Sequence, residues 1–107
     1  MSERAAAKDA PGAAADATPI VRELEICNKK GLHARASAKF VQLVEKYDAE
    51  VKVRRGHETV GGTSIMGLMM LAAGPGTTIT VEASGTQAAE VVEALARLVS
   101  GRFTEEE

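Results

Sequence analysis

The sequence predicts an α+β fold, an open-faced sandwich of four antiparallel strands with three helices on one face. Stretches with a two-residue apolar period alternate with stretches whose apolar residues recur every three or four positions. Their order is strand, helix, strand, strand, helix, strand, helix. Each strand and each helix carries a single apolar face, and such faces are buried most economically by packing helices on one side of an antiparallel sheet. A chain of 107 residues suits one domain with its own core.

Residues 1–19, "MSERAAAKDAPGAAADATP", contain no bulky apolar group after Met1 and are interrupted by Pro11 and Gly12, so they read as a disordered alanine-rich tail ahead of a domain over 20–107. From Ile20 the pattern changes. In "RELEIC" Leu24 and Ile26 share one face and Glu23 and Glu25 the other, the period of a half-buried strand. Ala36, Phe40, Val41, Leu43, Val44 and Tyr47 then trace one side of a helix closing near Asp48. "AEVKVRRGHETVGG" alternates around Val51, Val53 and Val60, with Gly56 available for a tight hairpin turn. A short apolar helix follows, opened by the capping types Thr63 and Ser64 and stopped by Gly74, Pro75 and Gly76. "TTITVEAS" is a β-branched strand with Ile79, Val81 and Ala83 on one side. Thr86 is placed to cap a last helix whose Ala88, Val91, Val92, Leu95, Leu98 and Val99 form a stripe ending at Gly101. The opposite sheet face, with Glu23, Glu25, Lys52, Arg54 and Glu82, is expected to meet water.

Composition excludes several classes of function. Thirteen Lys and Arg against fifteen Asp and Glu leave a net charge of −2, with no general drive toward nucleic acid or an anionic membrane. The longest apolar run, Ile65 to Ala73, is far short of the roughly 20 residues needed to span a bilayer. Glu3, Arg4, Lys8 and Asp9 do not form the basic start and apolar run of an export signal, so a cytoplasmic protein is expected. Cys27 has no disulfide partner and reads as a small apolar group at a strand end; with only His33 and His57 beside it, no zinc site is expected, nor any cofactor.

The chemistry concentrates in "GLHARASAKF", residues 31–40. His33 stands at the mouth of the first helix, where backbone N–H groups lack intrahelical partners and the helix dipole is positive. Lys29, Lys30 and Arg35 add cations at the end of a helix that ordinarily disfavours them, which makes sense if an anion comes and goes. A neutral imidazole nitrogen is a nucleophile, and a phosphoryl group bonded to it would sit among those N–H donors and the Arg35 fork. On local features alone, His33 also reads as an ordinary surface neighbour of a helix cap.

"GLHARASAKFVQLVEKYDAEV" followed by "TSIMGLMMLAAGPGTTITVEASG" resembles HPr, the histidine phosphocarrier family of the bacterial phosphoenolpyruvate-dependent phosphotransferase system, over about residues 22–103. The resemblance implies the same four-stranded, three-helix fold, with His33 as phosphoacceptor through its pros nitrogen and Arg35 attending the phosphate. It further implies a monomeric carrier that takes the group from Enzyme I and gives it to an Enzyme IIA domain, rather than a catalyst. Ser64 falls where an HPr kinase/phosphorylase acts in many relatives; by itself it reads as an N-cap. Thr63 stands where many relatives carry lysine, and Ala36 where the family usually has proline. Met66, Leu68, Met69 and Met70 lie on the helix that the family uses for docking, and an exposed subset of them is expected to touch partners while the rest pack inward. His57 reads as plain surface. A regulatory module of the nitrogen-related branch, switched by phosphorylation, is the second reading. A self-contained enzyme fits poorly, since no paired carboxylates, nucleophile–base set or phosphate-binding loop stands out.

Overall fold

Strand alternation and helical stripes become two layers in the structure, a computed structural model that describes residues 18–104. Residues 1–17 of the expected tail, and 105–107, lie outside the described residues. The elements are β1 (Ile20–Glu25), α1 (Ala34–Val44), β2 (Glu50–Arg55), β3 (Glu58–Gly61), α2 (Ile65–Met70), β4 (Thr78–Ser84) and α3 (Ala88–Ser100), followed by a tight turn at Arg102–Thr104. The sheet is antiparallel throughout, in the order β1-β4-β2-β3. β4, last in the chain, therefore lies between β1 and β2, setting Leu24 opposite Ile79, Val53 opposite Val81 and Val51 opposite Ala83. A two-residue hairpin joins β2 to β3, and Gly56, with φ of 62°, supplies the positive dihedral that such a turn requires at its first central position.

One sheet face is apolar, and the helices cover it. Leu24, Val51, Val53, Ile79, Val81 and Ala83 meet Phe40, Val41 and Val44 of α1, Leu68 of α2, and Val91, Val92, Leu95 and Val99 of α3 in one buried cluster. On the other face Arg54 pairs with Glu82 at 2.8 Å, across neighbouring strands. Phe103 closes the core from beyond α3. Its turn is left-handed, with φ between 54° and 59° at Arg102, Phe103 and Thr104. That conformation costs roughly 1–2 kcal/mol per residue. Lys39 of α1 holds it, donating to the Phe103 carbonyl at 2.6 Å and to Thr104 Oγ1 at 2.7 Å.

Several element ends differ from expectation, each for a tertiary reason. α1 stops at Val44, and looser turns lead on to Asp48, because Asp48 is drawn to the start of α3. Its N–H donates to Gln87 Oε1 at 2.7 Å while its carbonyl accepts from the Gln87 N–H at 2.9 Å. Thr86 does not cap α3. Its hydroxyl donates to the Asp48 carboxylate at 2.6 Å, and the cap residue is Gln87, which makes no side-chain capping bond. α2 ends before its glycines, because Ala72 turns left-handed with φ of 54°. Cys27 is exposed rather than packed, with its thiol donating to the Val99 carbonyl at 3.2 Å.

Arg22 of β1 hydrogen-bonds Glu93 of α3 at the surface. That hydrogen bond, and then the Arg22 charge, hold the Glu93 carboxyl below the ordinary glutamate value. A lowered pKa in the folded state means that the pair's contribution is complete above the ordinary glutamate pKa and fades as pH falls through the lowered value. Thermal melts between about pH 6 and pH 3 should therefore show a shallower acid-side loss of Tm in Glu93→Gln than in the parent; parallel curves would mean that the pair contributes nothing.

Candidate functional site

The loop before α1 and the loop after α2 are fastened backbone to backbone. Leu32 N–H donates to the Ala73 carbonyl at 2.9 Å. Gly31 has φ of 64°, and a Cβ there would lie 2.3 Å from that same Ala73 oxygen and 2.8 Å from Gly74 Cα. Only glycine combines this dihedral with this approach. Asn28, buried, steadies the turn by donating from Nδ2 to the Gly31 carbonyl at 2.9 Å. On the far side, buried Ser37 donates from its hydroxyl to the Leu32 carbonyl at 3.3 Å.

His33 follows directly and is itself the N-cap of α1, with extended backbone at φ −80° and ψ −176°. Its ring does what a serine or aspartate oxygen does at other helices, since Nδ1 accepts the Arg35 N–H at 3.2 Å. From this bond we assign the proton of the neutral ring to Nε2. The Nδ1 lone pair is thus held against the positive end of the helix, among first-turn amides that have no carbonyl to bond. No acidic side chain stands in that first turn. Arg35, Lys29 and Lys30 are exposed around it, and His33 is half-buried. Ala36 is buried beneath the first turn.

α2 presents the second part of the surface. Ser64 is its N-cap, as its residue type suggests, and Oγ accepts the Gly67 N–H at 2.9 Å. A Cβ on Gly67 would lie 2.9 Å from that oxygen and from Val60 Cβ, so glycine lets the helix sit down on β3. The apolar run then divides. Leu68 is fully buried in the core and is not part of any contact surface, which corrects its inclusion among the candidate docking residues. Met66 and Met70 are 70% and 69% exposed, and Met69 and Ile65 are partly so. Ile65 was not singled out from the sequence; helical spacing sets 66 and 70 on the side away from Leu68, with 65 and 69 on its flank. The C-terminal end of α2 adjoins the His33 loop through Ala73, whereas Ser64 stands at the other end, about 9 Å away along a six-residue helix. His57 is exposed on the hairpin.

Half-buried His33 and the exposed Lys29, Lys30 and Arg35 form an open rim beside the end of α2. A groove of about 490 Å³ runs between the end of α1 and β2–β3, lined by Val44, Val51 and Val60 among others, and includes neither His33 nor Arg35. Among the described residues no cluster of His, Cys, Asp and Glu could hold a metal ion, and no helix is long and apolar enough to cross a membrane. A half-buried imidazole among exposed cations, beside an exposed apolar patch, suits exchange with another macromolecule.

The family model described as "PTS HPr component phosphorylation site" matches residues 20–101, which places the domain among the phosphocarriers of the phosphotransferase system. The chain belongs to the HPr family. It is 50% identical over 88 residues to the phosphocarrier protein HPr of Neisseria meningitidis serogroup A, covering 82% of this chain and 99% of that one. It is 40% identical over 88 residues to the phosphocarrier protein NPr of Shewanella violacea, covering 82% and 97%. The crystal structure of HPr-C-His from Thermoanaerobacter tengcongensis superposes with a TM-score of 0.78 at 36% identity, covering 82% of this chain and 99% of that one.

Gly31→Ala should destabilise the fold by about 2–4 kcal/mol in urea denaturation, through both dihedral strain and the backbone clash. Gly56→Ala, at a similar φ but with open space around the added carbon, should cost only about 1 kcal/mol. Equal losses would rule out the close approach as the main term.

Proposed function

We propose that this chain accepts a phosphoryl group on Nδ1 of His33 from phosphorylated Enzyme I and hands it to a histidine of an Enzyme IIA-type domain. The observation that carries this reading is the Nδ1 lone pair held at the N-terminus of α1 by the Arg35 amide. In the transfer that lone pair attacks phosphorus in line with the donor's N–P bond, which breaks as the new one forms, and the ring keeps its Nε2 proton. The phosphoryl oxygens then take over the amide hydrogen bonds that Nδ1 relinquishes, with the Arg35 guanidinium reaching them from the exposed side. Because an N–P bond lacks the stabilisation of a phosphate ester, the group leaves readily to the next acceptor. The chain is regenerated in each cycle and acts in the cytoplasm as a monomeric carrier, not as a catalyst, with residues 20–107 as the carrier unit.

Met66, Met69 and Met70 form the docking patch in this reading, their flexible thioethers adapting to donor and acceptor in turn. Ser64 is the regulatory position, modified by an HPr kinase/phosphorylase. A phosphate there would add about −1.5 to −2 charges at a helix N-terminus, where the helix tolerates it, and at the rim of the patch, where an acidic partner would be repelled. The likeness to an NPr supports a second circuit, a regulatory switch of the nitrogen-related branch. A pull-down with His33→Ala and His33→Glu separates the two circuits, since a phospho-switch changes its partners between these variants.

Incubation with Enzyme I and labelled phosphoenolpyruvate should give an acid-labile adduct that disappears in His33→Ala. Arg35→Ala should keep the adduct but form it about tenfold more slowly, the loss expected for one charge-assisted hydrogen bond. Acid-labile label surviving in His33→Ala would falsify the assignment.

A further inference from the structure

Arg55 ends β2 on the hairpin side of the domain, half-buried, yet its guanidinium is spent on α2. Nη1 donates to the Leu71 carbonyl at 2.9 Å and approaches the Ala72 carbonyl at 3.4 Å. These carbonyls lie at the C-terminal end of the helix, where acceptors lack intrahelical donors and a cation is favoured. Ala72 is held there in a left-handed conformation, φ 54°, that is strained for any L residue with a side chain. That turn delivers the next carbonyl, Ala73, to Leu32 N–H, and Leu32 immediately precedes His33. A continuous set of contacts therefore runs from the Arg55 guanidinium through the 71–73 turn to the backbone that sets the His33 ring.

We propose that Arg55 is a positioning residue for His33. By fixing the end of α2 in its strained turn, it holds the Ala73 carbonyl where Leu32 needs it, and so keeps Nδ1 of His33 on the Arg35 amide. This rests on the reading of His33 as phosphoacceptor, but its structural half can be measured without any phosphorylation.

The test compares Arg55→Met, Arg55→Lys and Arg55→Met/Ala72→Gly in the full chain. On the unphosphorylated protein, Leu32 amide exchange should be about tenfold faster in Arg55→Met, while the β4 amides keep their protection, and the ¹⁵N resonances of His33 should move from a predominantly Nε2-protonated ring toward mixed tautomers. With Enzyme I, the same variant should show a several-fold lower saturating transfer rate at nearly unchanged KM, since docking is intact and the nucleophile is misplaced. Arg55→Lys should recover part of both effects. The added Ala72→Gly should recover most of them, because glycine adopts the left-handed turn without a guanidinium to hold it. Wild-type Leu32 exchange and ring resonances in Arg55→Met would overturn the proposal, as would uniform acceleration of all amides. A parent chain that is not labelled on His33 would instead overturn the phosphocarrier reading, and the exchange and ring measurements would still decide the role of Arg55.

Discussion

Two stretches of backbone approach so closely at Gly31 and Ala73 that no side chain fits between them, and the geometry of the rim follows from this contact. The Leu32 to Ala73 hydrogen bond joins the entrance of α1 to the exit of α2, elements separated in the chain by the whole β2–β3 hairpin. Once joined, they fix where His33 stands, which way α1 points, and which apolar residues border it. Helix packing on the sheet alone would allow α1 and α2 to slide relative to one another. The glycine contact removes that freedom, and Asn28 and Ser37 hold its two sides.

The capping chemistry of the three helices shows what α1 gives up. α3 carries Glu90 in its first turn, where a carboxylate complements the dipole. α1 and α2 have no acid there, and α1 has Arg35 instead. Its cap is an imidazole, weaker in that role than serine, aspartate or asparagine. A helix optimised for its own stability would carry the opposite charges. Among the described residues no acidic side chain stands in the first turn of α1, the place that the proposed phosphoryl group would occupy during its stay. The proposed transfer between proteins would suit an open rim, where the partner supplies the other wall.

Much of this was legible in the sequence because its signals are local. Alternation at Leu24, Val51, Val53, Ile79 and Val81 is enforced by the pleat, and the stripe from Ala88 to Val99 by the helical period, so both survive any tertiary context. Helix ends were less legible. Thr86 has the right type for a cap, but a carboxylate 38 positions earlier in the chain takes its hydroxyl. Gly74 and Gly76 look like the stop of α2, but Ala72, an ordinary helix former, makes the turn because Arg55 binds the carbonyls beside it. The place of His33 could be read from Gly31 and the helix pattern, and its kinship from the string around it. That its own ring is the cap could not, because cap residues are set by side-chain rotation rather than by spacing. Leu68 was ambiguous for a related reason, since a helix apolar on all sides does not say which side faces in.

The rim joins two surfaces of opposite mechanical character, and this bears on how one small domain can meet more than one partner. α1 is firmly held, by Phe40 and Val44 in the core, by the loop at its start, and by Lys39, whose bonds to the left-handed turn at Phe103 tie its middle to the C-terminal segment. His33, the proposed nucleophile, therefore has a fixed position, as phosphoryl transfer would demand, since reacting atoms must be aligned to within a fraction of an ångström. α2 is short, and its outer face is three flexible methionines and an isoleucine, side chains that can repack against differing surfaces. Fixed chemistry beside adaptable packing separates the two requirements. Rotamer changes at Met66 or Met70 can accommodate a new partner without moving Nδ1, provided that the far end of α2, where Arg55 and Ala73 grip it, stays in place.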